Sequence, residues 1–223
     1  MSDQPSLIGR RTTVACLVAA PVCEVAEALL SPLSGTSTAA DLRGVAAHPG
    51  LFVASVLVGI VATVLYVPAF LGLATRCLVA APVAARLGAA FATASMLGFM
   101  GIRMAQGVEL QGVRDGLDRG DLAALTDHVA ANPVGVAMLV LLLAGSAVGL
   151  VALGVAGWRA GLPRPALVLM AGFPFFDLAL PSQSGTVASH VLLLAGLAWL
   201  ATAVARGTDR GSASVGQEAP VLA

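Results

Sequence analysis

Apolar runs of about twenty residues recur along this chain, separated by short stretches rich in Gly, Pro, Asp, Ser and Arg. A helix rises about 1.5 Å per residue, so a run of roughly 20 residues crosses a hydrocarbon core of about 30 Å. The runs fall near residues 12–31, 51–74, 87–106, 133–157, 165–180 and 187–205. They predict an all-α integral membrane bundle of six transmembrane helices. Residues 34–50 read as a polar connection. Residues 107–132 form a longer polar loop carrying Asp115, Asp118, Asp121 and Asp127, within which Leu122, Leu125 and Val129 recur at helical spacing. That spacing predicts a short amphipathic external helix between the third and fourth spans, lying on the membrane surface.

The arginines set the expected orientation, because basic residues near helix ends tend to stay on the cytoplasmic side. Counting ends alternately puts Arg10, Arg11, Arg76, Arg86, Arg159, Arg164, Arg206 and Arg210 on one side, and Arg43, Arg103, Arg114 and Arg119 toward the other. The expected topology is therefore N-in/C-in. Residues 1–11 form a cytoplasmic tail, 12–206 the six-helix domain and 207–223 a cytoplasmic disordered tail. Arg10 and Arg11 ahead of an apolar run, with Ala26, Glu27 and Ala28 beyond it, also permit a cleaved signal. Glu24 and Glu27 fit poorly in a cleavage region, which favours a retained first span.

Composition strengthens the membrane reading and narrows the chemistry. The chain is 58% hydrophobic and 11% charged, with a mean hydropathy of +0.92, against roughly a quarter charged in soluble domains. The expected partner is the lipid bilayer of a bacterial cytoplasmic membrane. A formal net charge of zero supplies no basic surface for nucleic acid. Cys16, Cys23 and Cys77 form no C-x-x-C pair. No H-E-x-x-H, G-x-S-x-G or phosphate-loop pattern occurs, so no enzyme, metal or cofactor is implied, and no protein partner or homo-oligomer is specified.

Candidate chemistry lies in polar residues inside apolar runs. Thr13, Cys16, Ala20, Glu24, Glu27 and Ser31 fall within an arc of about 80° on one helix. Charges at membrane depth cost roughly 3 kcal/mol on translocon scales, so this face is expected to turn into the bundle. Depth counting at about 1.5 Å per residue places Glu24 and Asp177 near 18 Å from the cytoplasmic ends and Glu27 and Arg103 about one turn further. His190 falls at a similar level. Glu24, Glu27, Arg103, Asp177 and His190 are thus the candidate polar intramembrane site. Arg103 is expected to neutralise chiefly Glu27 and secondarily Glu24, since its planar fork suits a carboxylate. The competing reading of each is structural: a buried pair that orients helices, or a headgroup-level anchor in the case of Arg103 and His190.

Other features have plainer explanations. Pro174, three residues before Asp177, frees the carbonyl of Met170 and predicts a kink. His48, His128 and His190 all map to the outer boundary, where a metal or haem is conceivable, but none has a second ligand at helical spacing. Ser55, Gly59 and Thr63, then Gly88, Ala92 and Met96, then Gly145 and Gly149 read as small-residue packing stripes. Asp41-Leu42 with Ala46-Ala47-His48-Pro49 is echoed by Asp121-Leu122 with Ala130-Ala131-Asn132-Pro133, a weak internal repeat of the two hairpins. The A-A-H-P-G start of the second run, the L-Y-V-P-A-F-L-G-L segment (residues 65–73) and the G-W-R-A-G exit of the fourth resemble uncharacterised actinobacterial multi-pass membrane proteins. The resemblance implies a polytopic membrane fold and no particular activity.

These features admit two functional classes. One is a small solute or proton transport or sensing bundle with a polar interior in the outer half of the membrane. The other is a non-enzymatic membrane scaffold or partner subunit. A water-reached cavity at Glu24 or Asp177 favours the first, and fully paired dry carboxyls the second.

Overall fold

The computed structural model describes residues 8–180 and 182–206. The expected disordered tail, 207–223, and the first seven residues lie outside the described residues. Eight helices follow one another: α1 (Arg10–Leu30), α2 (Thr38–Ala47), α3 (Pro49–Cys77), α4 (Pro82–Arg114), α5 (Arg119–Ala131), α6 (Pro133–Arg159), α7 (Arg164–Ala179) and α8 (Gln183–Arg206). No strand occurs among the described residues. Every backbone polar group in hydrocarbon needs an internal partner, and helices meet that need within their own segment.

Five helices, α1, α3, α4, α6 and α8, are long and apolar enough to cross a membrane. α7 has 16 residues, rising about 24 Å, short of a full hydrocarbon core. The helix continues through Pro174, as α1 does through Pro21 and α3 through Pro68. α4 has 33 residues, reaching several residues beyond its apolar run at both ends.

α1, α3, α4, α6, α7 and α8 pack in chain order into a closed ring, with α8 returning to α1 and α3 also touching α6. α2 and α5 lie side by side at one end of it, in contact with each other. The connection expected at residues 34–50 is largely α2. Ser37 caps it by accepting from the Ala40 amide. Asp41 then ties down the preceding turn, accepting from the Ser34 amide at 2.7 Å, the Ser34 hydroxyl at 2.8 Å and the Gly35 amide at 3.0 Å. α5 begins on Asp118, which accepts from Gly120 and Asp121, and Thr38 donates to Asp127 across the α2–α5 contact at 2.7 Å. Single residues, His48 and Asn132, separate these short helices from long ones that begin with proline. The repeat read in the sequence is therefore a repeat of architecture, short helix into long helix. The proline at each start follows from its missing amide, which a first helical turn does not need.

The tightest interface joins α4 to α6. A methyl group added to Gly149 would stand 2.7 Å from the Cα of Ala92, and one added to Gly88 would stand 2.8 Å from the Leu153 amide. Ser95, opposite Gly145, turns its hydroxyl back to the Ala92 carbonyl at 2.8 Å. Lipid tails are as apolar as leucine, so hydrophobicity does not drive helices together in a membrane. Close backbone approach does, and small residues permit it.

The ends of the ring differ in charge. Arg10, Arg76, Arg86, Arg159, Arg164 and Arg206 lie at or near the ends of long helices joined by residues 78–81 and 160–163. The Arg164 guanidinium stacks 4.6 Å above the Trp158 ring. Arg43, Arg114 and Arg119 accompany α2 and α5 at the opposite end.

Candidate functional site

α1 presents Thr13, Cys16, Leu17, Ala20, Pro21 and Glu24 to the bundle. The polar arc therefore turns inward along most of its length. At the α2–α5 end this face meets α4, α7 and α8 around a cavity of about 310 Å³. Glu24, Glu27, Arg103, Asp177 and His190 all line it. Its mouth is formed by the turn after α1, including Ser34 and Gly35, and by Ser182 and Gln183 at the start of α8. Gln183 donates to the Ser31 carbonyl at 3.0 Å, joining the two sides of that mouth.

Glu27 and Arg103 form a direct ion pair. A second Arg103 nitrogen donates to Gln106 at 3.0 Å. The pair rests on α3 at Gly59, where an added Cβ would stand 2.9 Å from the guanidinium carbon and would collide with the Glu27 carboxylate. Gly59 is therefore required as the seat of the pair, which a packing-stripe reading does not capture. Glu27 Oε2 and Arg103 Nε have no hydrogen-bond partner.

Glu24 takes different partners from those expected. It is 5% exposed and accepts from the Tyr66 hydroxyl of α3. Its other oxygen faces His190 Nε2 of α8 across 3.9 Å, too far for a hydrogen bond. His190 Nδ1 lies 2.6 Å from the Thr186 carbonyl. A carbonyl only accepts, so Nδ1 carries a hydrogen and Nε2 is the ring nitrogen left to face Glu24. The edge of His190 meets Phe173 with ring centroids 5.1 Å apart. Asp177, half-buried on α7, accepts from Ser189 of α8 at 2.7 Å.

Below Glu24 lies a second, much smaller space of about 20 Å³. All six ring helices contribute to it, through Glu24, Tyr66, Met96, Ser146, Phe173 and Leu193. Glu24 and Phe99 line both spaces, so they form the partition between them. The smaller one has room for about one water molecule. Beyond it the ring is filled by apolar side chains including Leu17, Leu73, Leu153, Met170 and Leu197. The larger cavity is thus a cup that opens at the α2–α5 end.

Tyr66, Thr186 and Ser189 join the candidate site without having stood out in the sequence, and of these Tyr66 carried a signal. Tyr66 is the only tyrosine in the chain, set within an apolar run, and a buried phenol needs a partner for its hydroxyl. That requirement was the available signal. His48 and His128 are exposed and do not join His190. Among the described residues no group of three His, Cys, Asp or Glu is placed to hold a metal ion.

Comparison of the chain with protein-family models, with curated proteins and with solved structures returns no match. The residues of the cavity therefore carry the functional argument by themselves.

Proposed function

We propose that this chain is a six-span protein of the bacterial cytoplasmic membrane that binds a small polar solute or protons in the cavity at its α2–α5 end, as part of transport or sensing. The supporting observation is the cavity of about 310 Å³ that reaches both Glu24 and Asp177. Its size is that of a small-molecule site, and its few polar groups converge on one space. In this reading α7 is the sixth span, shorter than its neighbours and completed by its flanking turns. The arginine-rich end faces the cytoplasm, and the cup opens to the outside.

The scaffold reading draws its support from the Glu27–Arg103 pair, which is bonded as a purely structural pair would be. Glu24 and Asp177 favour the binding reading, because both stand in the wall of open space. A ligand that binds only the folded state raises its stability by mass action. Thermal unfolding of the purified protein against amino acids, carboxylates, polyols and amines, and across pH 5 to 8, is the test. A saturable rise in Tm that Glu24→Gln and Asp177→Asn abolish, or a pH dependence that they abolish, is the expected result. A Tm indifferent to every solute and to pH would leave the scaffold.

A further inference from the structure

We infer that the solute is a small organic amine, bound with its ammonium group between Glu24 and His190. This rests on the reading of the cavity as a binding site and specifies its ligand class. Glu24 Oε1 and His190 Nε2 face each other across a gap of 3.9 Å. With Nδ1 committed to the Thr186 carbonyl, both atoms facing the gap are acceptors when the ring is neutral. Two acceptors side by side repel unless a donor stands between them, and a polar contact across more than about 3.5 Å asks what bridges it. An ammonium nitrogen about 2.8 Å from each would satisfy both. Both residues are more than nine-tenths buried and both line the cavity, so a bridging group reaches them from that space.

The charge of the lining points the same way. Three carboxylates, Glu24, Glu27 and Asp177, share the cavity with one guanidinium, Arg103. Arg103 is engaged by Glu27. Glu24 and Asp177 are held by neutral hydroxyls, those of Tyr66 and Ser189. An ionised carboxylate without a cation beside it is costly inside a membrane, and a bound ammonium group restores the balance. A bare metal ion is a poor match, since no three acidic, histidine or cysteine groups among the described residues gather around one point. An organic cation spreads its contacts over the cavity as these residues are spread. The Phe99 side chain in the same wall adds an aromatic surface of the kind ammonium groups favour. The bridging geometry requires N–H groups, so a primary amine fits and a quaternary ammonium does not.

The test is isothermal titration of the detergent-purified full chain at pH 7.5 with 1,4-diaminobutane, tetramethylammonium, sodium and succinate. Saturable binding of the diamine, with tetramethylammonium, sodium and succinate at least tenfold weaker, is expected. Glu24→Gln and Asp177→Asn should each weaken diamine binding at least tenfold. Asp127→Asn, whose carboxylate meets Thr38 away from the cavity, should not change it. Each variant is first checked for a monodisperse elution profile. If Glu24→Gln fails to fold, Asp177→Asn and His190→Asn carry the test. Equal binding of tetramethylammonium, or diamine binding unaffected by these substitutions, overturns the inference. Absence of diamine binding alongside saturable stabilisation by another solute class overturns the ligand assignment and leaves the cavity's binding role standing.

Discussion

The α4–α6 seam and the α1–α7–α8 cavity occupy the same bundle and solve opposite problems. In the seam, glycine and alanine bring two backbones into contact, and Ser95 spends its hydroxyl on its own helix. Around the cavity, larger polar side chains bond from helix to helix, Glu24 to Tyr66, Glu27 to Arg103 and Asp177 to Ser189. The lesson is that small residues and buried charges in one membrane chain divide the work: the first set the frame and the second use it.

Breaking the seam should have the largest effect. Gly149→Leu forces a side chain into the Ala92 backbone, and overpacking of this kind costs about 3 kcal/mol or more where neither backbone can yield. The expected outcome is loss of monodisperse protein on size-exclusion chromatography. Breaking the cavity's ion pair comes next. Glu27→Gln and Arg103→Gln should each destabilise by about 2–3 kcal/mol, below the upper range for a fully dry pair because the cavity admits water. Their double mutant should recover at least about 1 kcal/mol relative to the sum, as read by thermal unfolding in detergent. Simple additivity would mean that the contact carries no energy.

Smaller effects sharpen the contrast. Tyr66→Phe removes the donor to Glu24 and should cost about 1–2 kcal/mol, while Ser95→Ala in the seam should fall within about 1 kcal/mol because its hydroxyl only returns to its own helix. At the surface, Thr38→Val breaks an exposed bond to Asp127 and should shift stability by less than about 0.5 kcal/mol. Matching losses at positions 66 and 95 in thermal unfolding would erase the distinction between the two regions.

The long helices were legible because a bilayer leaves an apolar run of twenty residues few alternatives to helix. α5 was legible from Leu122, Leu125 and Val129, although Leu122 alone is buried. α2 was not, since its buried side chains are only Leu42 and Val45 and the Ser, Gly and Thr before it read as loop. Its start signal lay in Ser37, whose side chain accepts from the Ala40 amide, a single cap residue that the neighbouring Ser, Gly and Thr masked. At the cavity, depth counting brought five residues to one level, and the arc of α1 showed which way Glu24 and Glu27 face. Depth says nothing of azimuth on the other helices. The pairing of Glu24 with Tyr66 and His190, and the seat that Gly59 provides, depend on how α3 and α8 are rotated. A single sequence read one run at a time does not contain that rotation.

If the cavity and the seam differ in this way, water reaches the cup at the α2–α5 end and not the seam. The direct measurement replaces Cys16, Cys23 and Cys77 with serine, then places a single cysteine at Thr186, in the cavity wall, or at Leu153, 0% exposed against Gly88 in the seam. Intact cells are treated with a charged, membrane-impermeant methanethiosulfonate. Rapid modification of Thr186→Cys from outside the cell and none of Leu153→Cys is the expected result. An unreactive thiol at 186, or modification at 153 to the same extent, would show that the two regions do not differ in access to water.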